Sequence, residues 1–238
     1  IGHSSGGLDT RLFSSPSVQL DVEVEPWAAR VASVVTVSTP HLGTPAAASF
    51  STLAGKQLLR LISLMTIVVV RRGRLPLHIL LELTQLFRKL SLDDSRGLVD
   101  EVFSGLLNEL TDQRRVEIDA FFSNVGEDQA LLPQITPDAM ESFNTGIRDR
   151  PGVRYGSVIT RAHKPDLHGV ISAGISPYSQ ASNALYVACH RLAAAGGPGL
   201  DDAAVHLRTA WPELTGADND GMVPTASQAW GQTIATVD

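Results

Sequence analysis

The sequence predicts an α/β protein, a mostly parallel sheet flanked by helices and carrying a large helical insertion. Three observations predict it. The run Val31 to Val37 is β-branched and apolar on both faces, as a strand inside a parallel sheet must be. It ends in the turn-rich Ser38-Thr39-Pro40-His41-Leu42-Gly43-Thr44-Pro45, and loops leaving strand C-termini are where such sheets carry chemistry. Residues 46–145 then show helical spacing, before strand character returns at 153–160.

Taken in order, the chain opens on Gly2-His3-Ser4-Ser5-Gly6, which fits G-x-S-x-G. In that sharp strand-to-helix turn the glycines remove side chains that would clash, and the central serine projects above the sheet. A helical segment from Leu8 meets Ser14-Ser15-Pro16, where proline breaks it before Leu20. In the insertion, apolar residues recur at Leu58, Leu61, Ile62 and Met65, at Leu77, Leu80, Leu81 and Leu83, and at Val99, Val102, Phe103 and Leu106. Pro76, Asp93-Asp94, Pro133 and Pro137 divide it into about four helices. Pro151-Gly152 reads as a turn into the strand 153–160, and 161–182 as a long loop. A helix over 183–195 ends at Gly196-Gly197-Pro198, a second helical stretch covers 203–210, and a last strand spans 233–237. Three recognisable strands leave an open sheet edge, a site for unwanted pairing.

The 238 residues are read as one domain, 1–238, with the insertion 46–145 inside it. A hydrophobic content of 43%, only 18% charged residues and a net charge of -6 exclude a disordered chain and a basic nucleic-acid binder. The single cysteine, Cys189, forms no internal disulfide, and no cysteine or histidine spacing suits zinc. Its reading is a small apolar residue on a helix. No stretch reaches the roughly 18 consecutive apolar residues of a transmembrane segment. The nearest, Leu61 to Val70, is bounded by Arg60 and by Arg71-Arg72-Gly73-Arg74. The N-terminus shows neither initiator methionine nor signal peptide, so localisation is not readable from it.

The chemistry centres on Ser4. A serine hydroxyl is a poor nucleophile at neutral pH and needs a base, which in turn needs a carboxylate to hold its tautomer. The elbow also aims the Ser5 N–H, at the positive end of the following helix, toward a developing oxyanion. In this motif the chain order is serine, acid, histidine. Asp220, in Ala217-Asp218-Asn219-Asp220-Gly221-Met222-Val223-Pro224, is the candidate acid and Asp218 its competitor. The seven histidines, at 3, 41, 78, 163, 168, 190 and 206, all precede Asp220. The expectation is therefore a chain that starts just before its nucleophile and stops short of its base.

Four stretches together carry a resemblance. The elbow Gly2 to Arg11 (GHSSGGLDTR), Val35 to Thr44 (VTVSTPHLGT), Gly152 to Ser157 (GVRYGS) and Asn219 to Pro224 (NDGMVP) are similar, in order and spacing, to the bacterial triacylglycerol lipases of the Pseudomonas/Burkholderia-like group of α/β-hydrolases. That resemblance implies an α/β-hydrolase fold, partial here, and ester hydrolysis with Ser4 as nucleophile and Asp220 as acid. It places the histidine beyond Asp238 and a second oxyanion donor ahead of Ile1. His41 would shape the active-site loop without acting as base, and His3 would sit within the elbow. It makes secretion plausible and allows a structural calcium, for which Asp201 and Asp202 are the residues to consider, although an acidic helix start is the plainer reading of that pair. The helical insertion resembles a lid, and the implied partner is a lipid or ester substrate, with no other cofactor needed for the chemistry. Two alternatives stay open: an acyltransferase using the same serine, and a non-catalytic lipid- or partner-binding module.

Overall fold

A computed structural model describes residues 1–21, 23–72, 75–88, 96–127, 131–165 and 177–238. It is α/β, with a parallel sheet of four strands, β1 (Gly2–His3), β2 (Ser33–Val37), β3 (Arg154–Thr160) and β4 (Gln232–Val237), lying in that order. β1 was not expected. Glycine and histidine carry no strand pattern, and the pair is a strand only because it matches Thr36 and Val37 of β2. In β2 one face is buried, at Val34 and Thr36, while Val35 and Val37 on the other are half-buried and Ser33 is exposed.

The helices are α1 (Ser5–Ser14), α2 (Glu25–Ala28), α3 (Pro45–Ser51), α4 (Leu53–Arg72), α5 (Leu77–Arg88), α6 (Arg96–Asn108), α7 (Asp112–Glu127), α8 (Leu131–Gln134), α9 (Pro137–Gly146), α10 (Pro177–Ala193) and α11 (Leu200–Leu207). α1 stops where proline was expected to stop it, with Ser15 already extended ahead of Pro16. α10 begins earlier than position 183, because proline is at home in a first turn. α11 also starts three residues early, behind Gly199 in a left-handed conformation. Part of the predicted 161–182 loop, 166–176 with His168, lies outside the described residues, as do Gly73, Arg74 and the Asp93-Asp94 pair.

The chain divides into two compact units. The first comprises Ile1–Ala47, Pro133–Lys164 and Cys189–Asp238. It holds the sheet, and Ile159, Leu200, Ala204, Leu207, Trp211, Leu214 and Ala226 form a core that packs β3 against α11 and the 3₁₀ turn Thr225–Gln228. α9 belongs to this unit although it fell inside the expected insertion. Its start is pressed against the loop after β2: a Cβ on Gly43, at φ 79°, would come within 2.7 Å of Pro137 N.

The second unit comprises Ala48–Leu132 and Pro165–Ala188, so the chain enters it twice. Its helical spacing is that of a buried bundle. Leu61, Leu64 and Val68 of α4 are fully buried, as are Ile79 and Leu83 of α5 and Val102 and Leu106 of α6. Gly105 lets α5 and α6 close up, since a Cβ there would meet Ile79 Cδ1 at 2.7 Å. The apolar run 61–70 thus forms part of a core helix. No helix among the described residues is long and apolar enough to cross a membrane.

Candidate active site

Ser4 follows β1 directly and is the N-cap of α1, at φ 54° and ψ −134°. Non-glycine residues avoid that region, and one held there is strained. The turn is fixed by backbone bonds: Ser4 N–H donates to Val37 O at 2.9 Å, and Gly7 N–H to Ser4 O at 3.0 Å. A serine at an N-cap ordinarily spends its hydroxyl on the helix amides. Ser4 does not, and its half-buried Oγ has no hydrogen-bond partner among the described residues. An uncommitted hydroxyl on a strained turn is what a nucleophile requires. Ser5 is the first residue of α1, where an amide finds no partner within its own helix.

The glycines of the turn divide differently from expectation. A Cβ on Gly2 would lie 2.3 Å from Gly6 O, and one on Gly7 would lie 2.0 Å from Thr39 Oγ1. On Gly6 it would meet nothing within 4 Å. Gly2 and Gly7 are therefore the obligatory pair, and the second glycine of the motif is sterically free. His3 is exposed at the end of β1.

Asp220 stands at the end of β3. Its Oδ1 accepts from the amides of Met222 at 3.0 Å and Val223 at 2.8 Å, and its Oδ2 from Thr160 Oγ1 at 3.0 Å and Gln228 Nε2 at 3.2 Å. Four donors match the roughly four lone-pair positions of an ionised carboxylate. Thr160 is the last residue of β3, while Ser4 follows β1, so the two groups flank the C-terminal end of β2. Two strand spacings separate the ends of β1 and β3, about 10 Å.

The competitor, Asp218, is occupied elsewhere. It is buried, receives Thr215 N–H at 2.9 Å and Thr215 Oγ1 at 2.8 Å on Oδ2, and pairs with Lys164 at 3.1 Å through Oδ1. Those donors outweigh its burial and hold its carboxyl below the ordinary range. Asp218 thus closes a turn, and the intervening Asn219 ties the loop to α10 by donating to His190 O at 3.1 Å.

His41 is fully buried. Arg11 Nη1 lies 3.1 Å from its Nδ1, and Thr36 Oγ1 lies 3.0 Å from its Nε2. A guanidinium only donates, so Nδ1 is the acceptor and Nε2 carries the proton toward Thr36. Burial, reinforced by the Arg11 charge, pushes the imidazole pKa down to about 3. At neutral pH the ring is uncharged, with both nitrogens committed. Its loop is clamped from three sides: Asn144 Nδ2 donates to His41 O at 2.7 Å, His41 N–H to Ser227 O at 2.8 Å, and Ser227 Oγ to Gly43 O at 2.7 Å. His41 holds this loop in shape, and its one ring proton is committed to Thr36.

Asp201 and Asp202 are exposed in the first turn of α11, where the helix dipole favours carboxylates. Asp201 Oδ1 accepts from Gly216 N–H at 2.8 Å, a loop staple. Among the described residues no three His, Cys, Asp or Glu side chains cluster to hold a metal ion.

Neither a family model nor a curated protein matches the chain.

The site must therefore be judged on its own geometry. Several of its members were not singled out from the sequence. Thr160 and Gln228 surround Asp220, and Arg11 and Thr36 hold His41, yet each is a polar residue in an otherwise ordinary segment. Only burial gives them away: Gln228 is fully buried and Arg11 is 1% exposed. Unmatched polar burial is costly unless each group finds partners.

Proposed function

We propose that this chain carries the acyl-transfer centre of a serine-dependent carboxylic ester hydrolase, with a lipid or other ester as substrate. One observation carries it: Ser4, strained at φ 54° between a parallel strand and a helix, with its hydroxyl left unbonded. Ser4 Oγ attacks the ester carbonyl, the histidine that the resemblance places beyond Asp238 takes its proton, and an acyl-serine forms as the alcohol leaves with that proton. Water, deprotonated by the same histidine, then releases the acid. The Ser5 N–H donates to the oxyanion in both steps. Asp220 orients the histidine and stabilises its charged form. The parallel sheet, the helix behind the serine and the carboxylate two strands away support this reading, and it agrees with the resemblance to α/β-hydrolase lipases.

The test is covalent labelling. In the full-length protein, which carries the histidine that the resemblance places beyond Asp238, a fluorophosphonate probe should add one mass increment at Ser4 and none to Ser4→Ala, and p-nitrophenyl esters should be hydrolysed only by the former. An unlabelled full-length wild type would reject the assignment.

A second reading, a non-catalytic lipid- or partner-binding module, is favoured by one specific observation: the four donors around Asp220 include no histidine. Flotation with phosphatidylcholine vesicles separates the two, since a binding module would float equally with Ser4 or alanine and take no probe.

A further inference from the structure

Ser38, the residue after β2, is the other non-glycine residue at positive φ among the described residues, at 49°. Glycine would adopt that conformation without strain. What serine adds is a hydroxyl, and Ser38 Oγ lies 2.8 Å from Thr160 Oγ1. The direction of that bond follows from counting protons. Thr160 Oγ1 has one proton and two acceptors in reach, Asp220 Oδ2 at 3.0 Å and Gln228 Oε1 at 3.1 Å. Gln228 Oε1 already receives the Thr160 N–H at 2.8 Å, and an ionised carboxylate is the stronger acceptor. Thr160 therefore donates to Asp220, and Ser38 donates to Thr160.

We propose that Ser38 and Thr160 are positioning residues, a two-hydroxyl relay that aims the Asp220 carboxylate. The proposal rests on the reading of Asp220 as the acid of the acyl-transfer site. Among the described residues Oδ1 is held only by amides of its own loop, at Met222 and Val223. Gln228 Nε2, the other donor to Oδ2, comes from the turn just after that loop. Thr160 ties the carboxylate to β3 directly, Gln228 does so at second hand through its bonds to the Thr160 N–H and carbonyl, and Ser38 extends the direct tie to β2. The residue before Ser38 is Val37, whose carbonyl anchors the Ser4 amide. The end of β2 is thus the common reference for the backbone of the nucleophile and the side chain of the acid. The strain at Ser38 is tolerated because relieving it with glycine would cut the relay.

Crystal structures and Ser4 labelling rates of Thr160→Val, Thr160→Ser and Ser38→Gly test this. Thr160→Val should turn the Asp220 carboxylate out of its plane and slow fluorophosphonate labelling about tenfold, the loss of one charge-assisted hydrogen bond. Thr160→Ser should restore both. Ser38→Gly should slow labelling several-fold while melting no lower than wild type, because it releases strain; a purely structural serine would instead leave labelling unchanged. An Asp220 carboxylate that keeps its orientation in Thr160→Val overturns the relay whatever the labelling shows. If wild-type Ser4 takes no probe, the hydrolase reading fails, and the crystal structures still decide the relay.

Discussion

The guanidinium of Arg11 lies face-on to the indole of Trp230, its central carbon 3.3 Å from the ring centroid. The same indole stacks on His41, centroids 5.5 Å apart and planes inclined by 30°. Arg11 therefore joins α1, the helix that begins at the elbow, to the loop after β2 and to Trp230, two residues ahead of β4. Burial brings its pKa down to about 10, a shift partly opposed by Asp149, so it remains cationic at neutral pH. Among the described residues Nε and Nη2 find no hydrogen-bond acceptor, and the π face of Trp230 takes the place of one.

Arg11→Lys should consequently be far from conservative. Lysine cannot cover the indole while donating to both His41 Nδ1 and Asn144 Oδ1, as Nη1 does at 3.1 and 3.0 Å. A loss of about 2 kcal/mol is expected in urea denaturation, from stranded buried acceptors. A variant within about 0.5 kcal/mol of wild type, the scatter of surface substitutions, would mean that these contacts contribute little.

His41 makes stability depend on pH. Its pKa falls from 6.5 to about 3 on folding, so between these values the unfolded chain binds a proton that the folded chain refuses. The contribution is complete above pH 6.5 and declines as pH falls toward 3, by about 1.4 kcal/mol per pH unit at most. Urea midpoints at pH 7, 6 and 5 should fall in wild type and fall less steeply in His41→Gln. Parallel slopes in the two proteins would exclude His41 as the source.

The elbow glycines offer a sharp contrast. Gly6→Ala has open space for its Cβ and should be neutral, or gain up to about 1 kcal/mol from helix propensity. Gly2→Ala and Gly7→Ala push a methyl into backbone and into Thr39, and should each cost about 2 to 3 kcal/mol. Thermal melts of the three variants measure this, and a Gly6→Ala variant as unstable as the other two would disprove the assigned division.

Ser4→Gly should separate stability from chemistry. It releases a strain of about 1 kcal/mol, so the melting temperature should hold or rise while probe labelling disappears. A clear drop in melting temperature would show that the serine side chain has a structural duty.

Asp220→Asn and Asp218→Asn should differ in kind. The first places an amide among four donors and should slow Ser4 labelling by more than ~10²-fold, in line with the loss of a triad acid. The second weakens a turn and a pair with a solvent-exposed lysine, costing about 1 kcal/mol of stability with labelling intact. The reverse pattern would transfer the acid role to Asp218.

What could be read from the sequence was whatever local chemistry determines. β2 shows as an apolar β-branched run, β3 shows in Tyr155, Val158 and Ile159 after the Pro151-Gly152 turn, the end of α1 shows in Ser15-Pro16, and the elbow shows in its serine and glycines. The two-residue β1 could not be read, because only pairing with Thr36 and Val37 makes it a strand. Gly7 went unrecognised since its constraint comes from Thr39, beyond the next strand. Local sequence put Asp220 ahead of Asp218 but left a catalytic acid and a turn residue even as readings of its loop, and the two aspartates separate through Lys164 and Thr215 on one side and Thr160 and Gln228 on the other. Ser38 and Thr160 meet because β2 and β3 lie side by side, a proximity no local pattern encodes.

More than a hundred residues separate Val37 from Arg154, yet the strands they border are neighbours. Closing so long a loop is slow, and sheets with such distant partners form late in folding. The equilibrium cost is another matter, because it grows only with the logarithm of length, about 0.6 kcal/mol for each doubling. The part of the intervening helical stretch in the second unit, Ala48–Leu132, can therefore lengthen, shorten or be exchanged at small thermodynamic expense, while Ser4 and Asp220 keep their places beside the ends of β1 and β3. Variation among descendants of this chain should accumulate there first, and the elbow should be the last part to change.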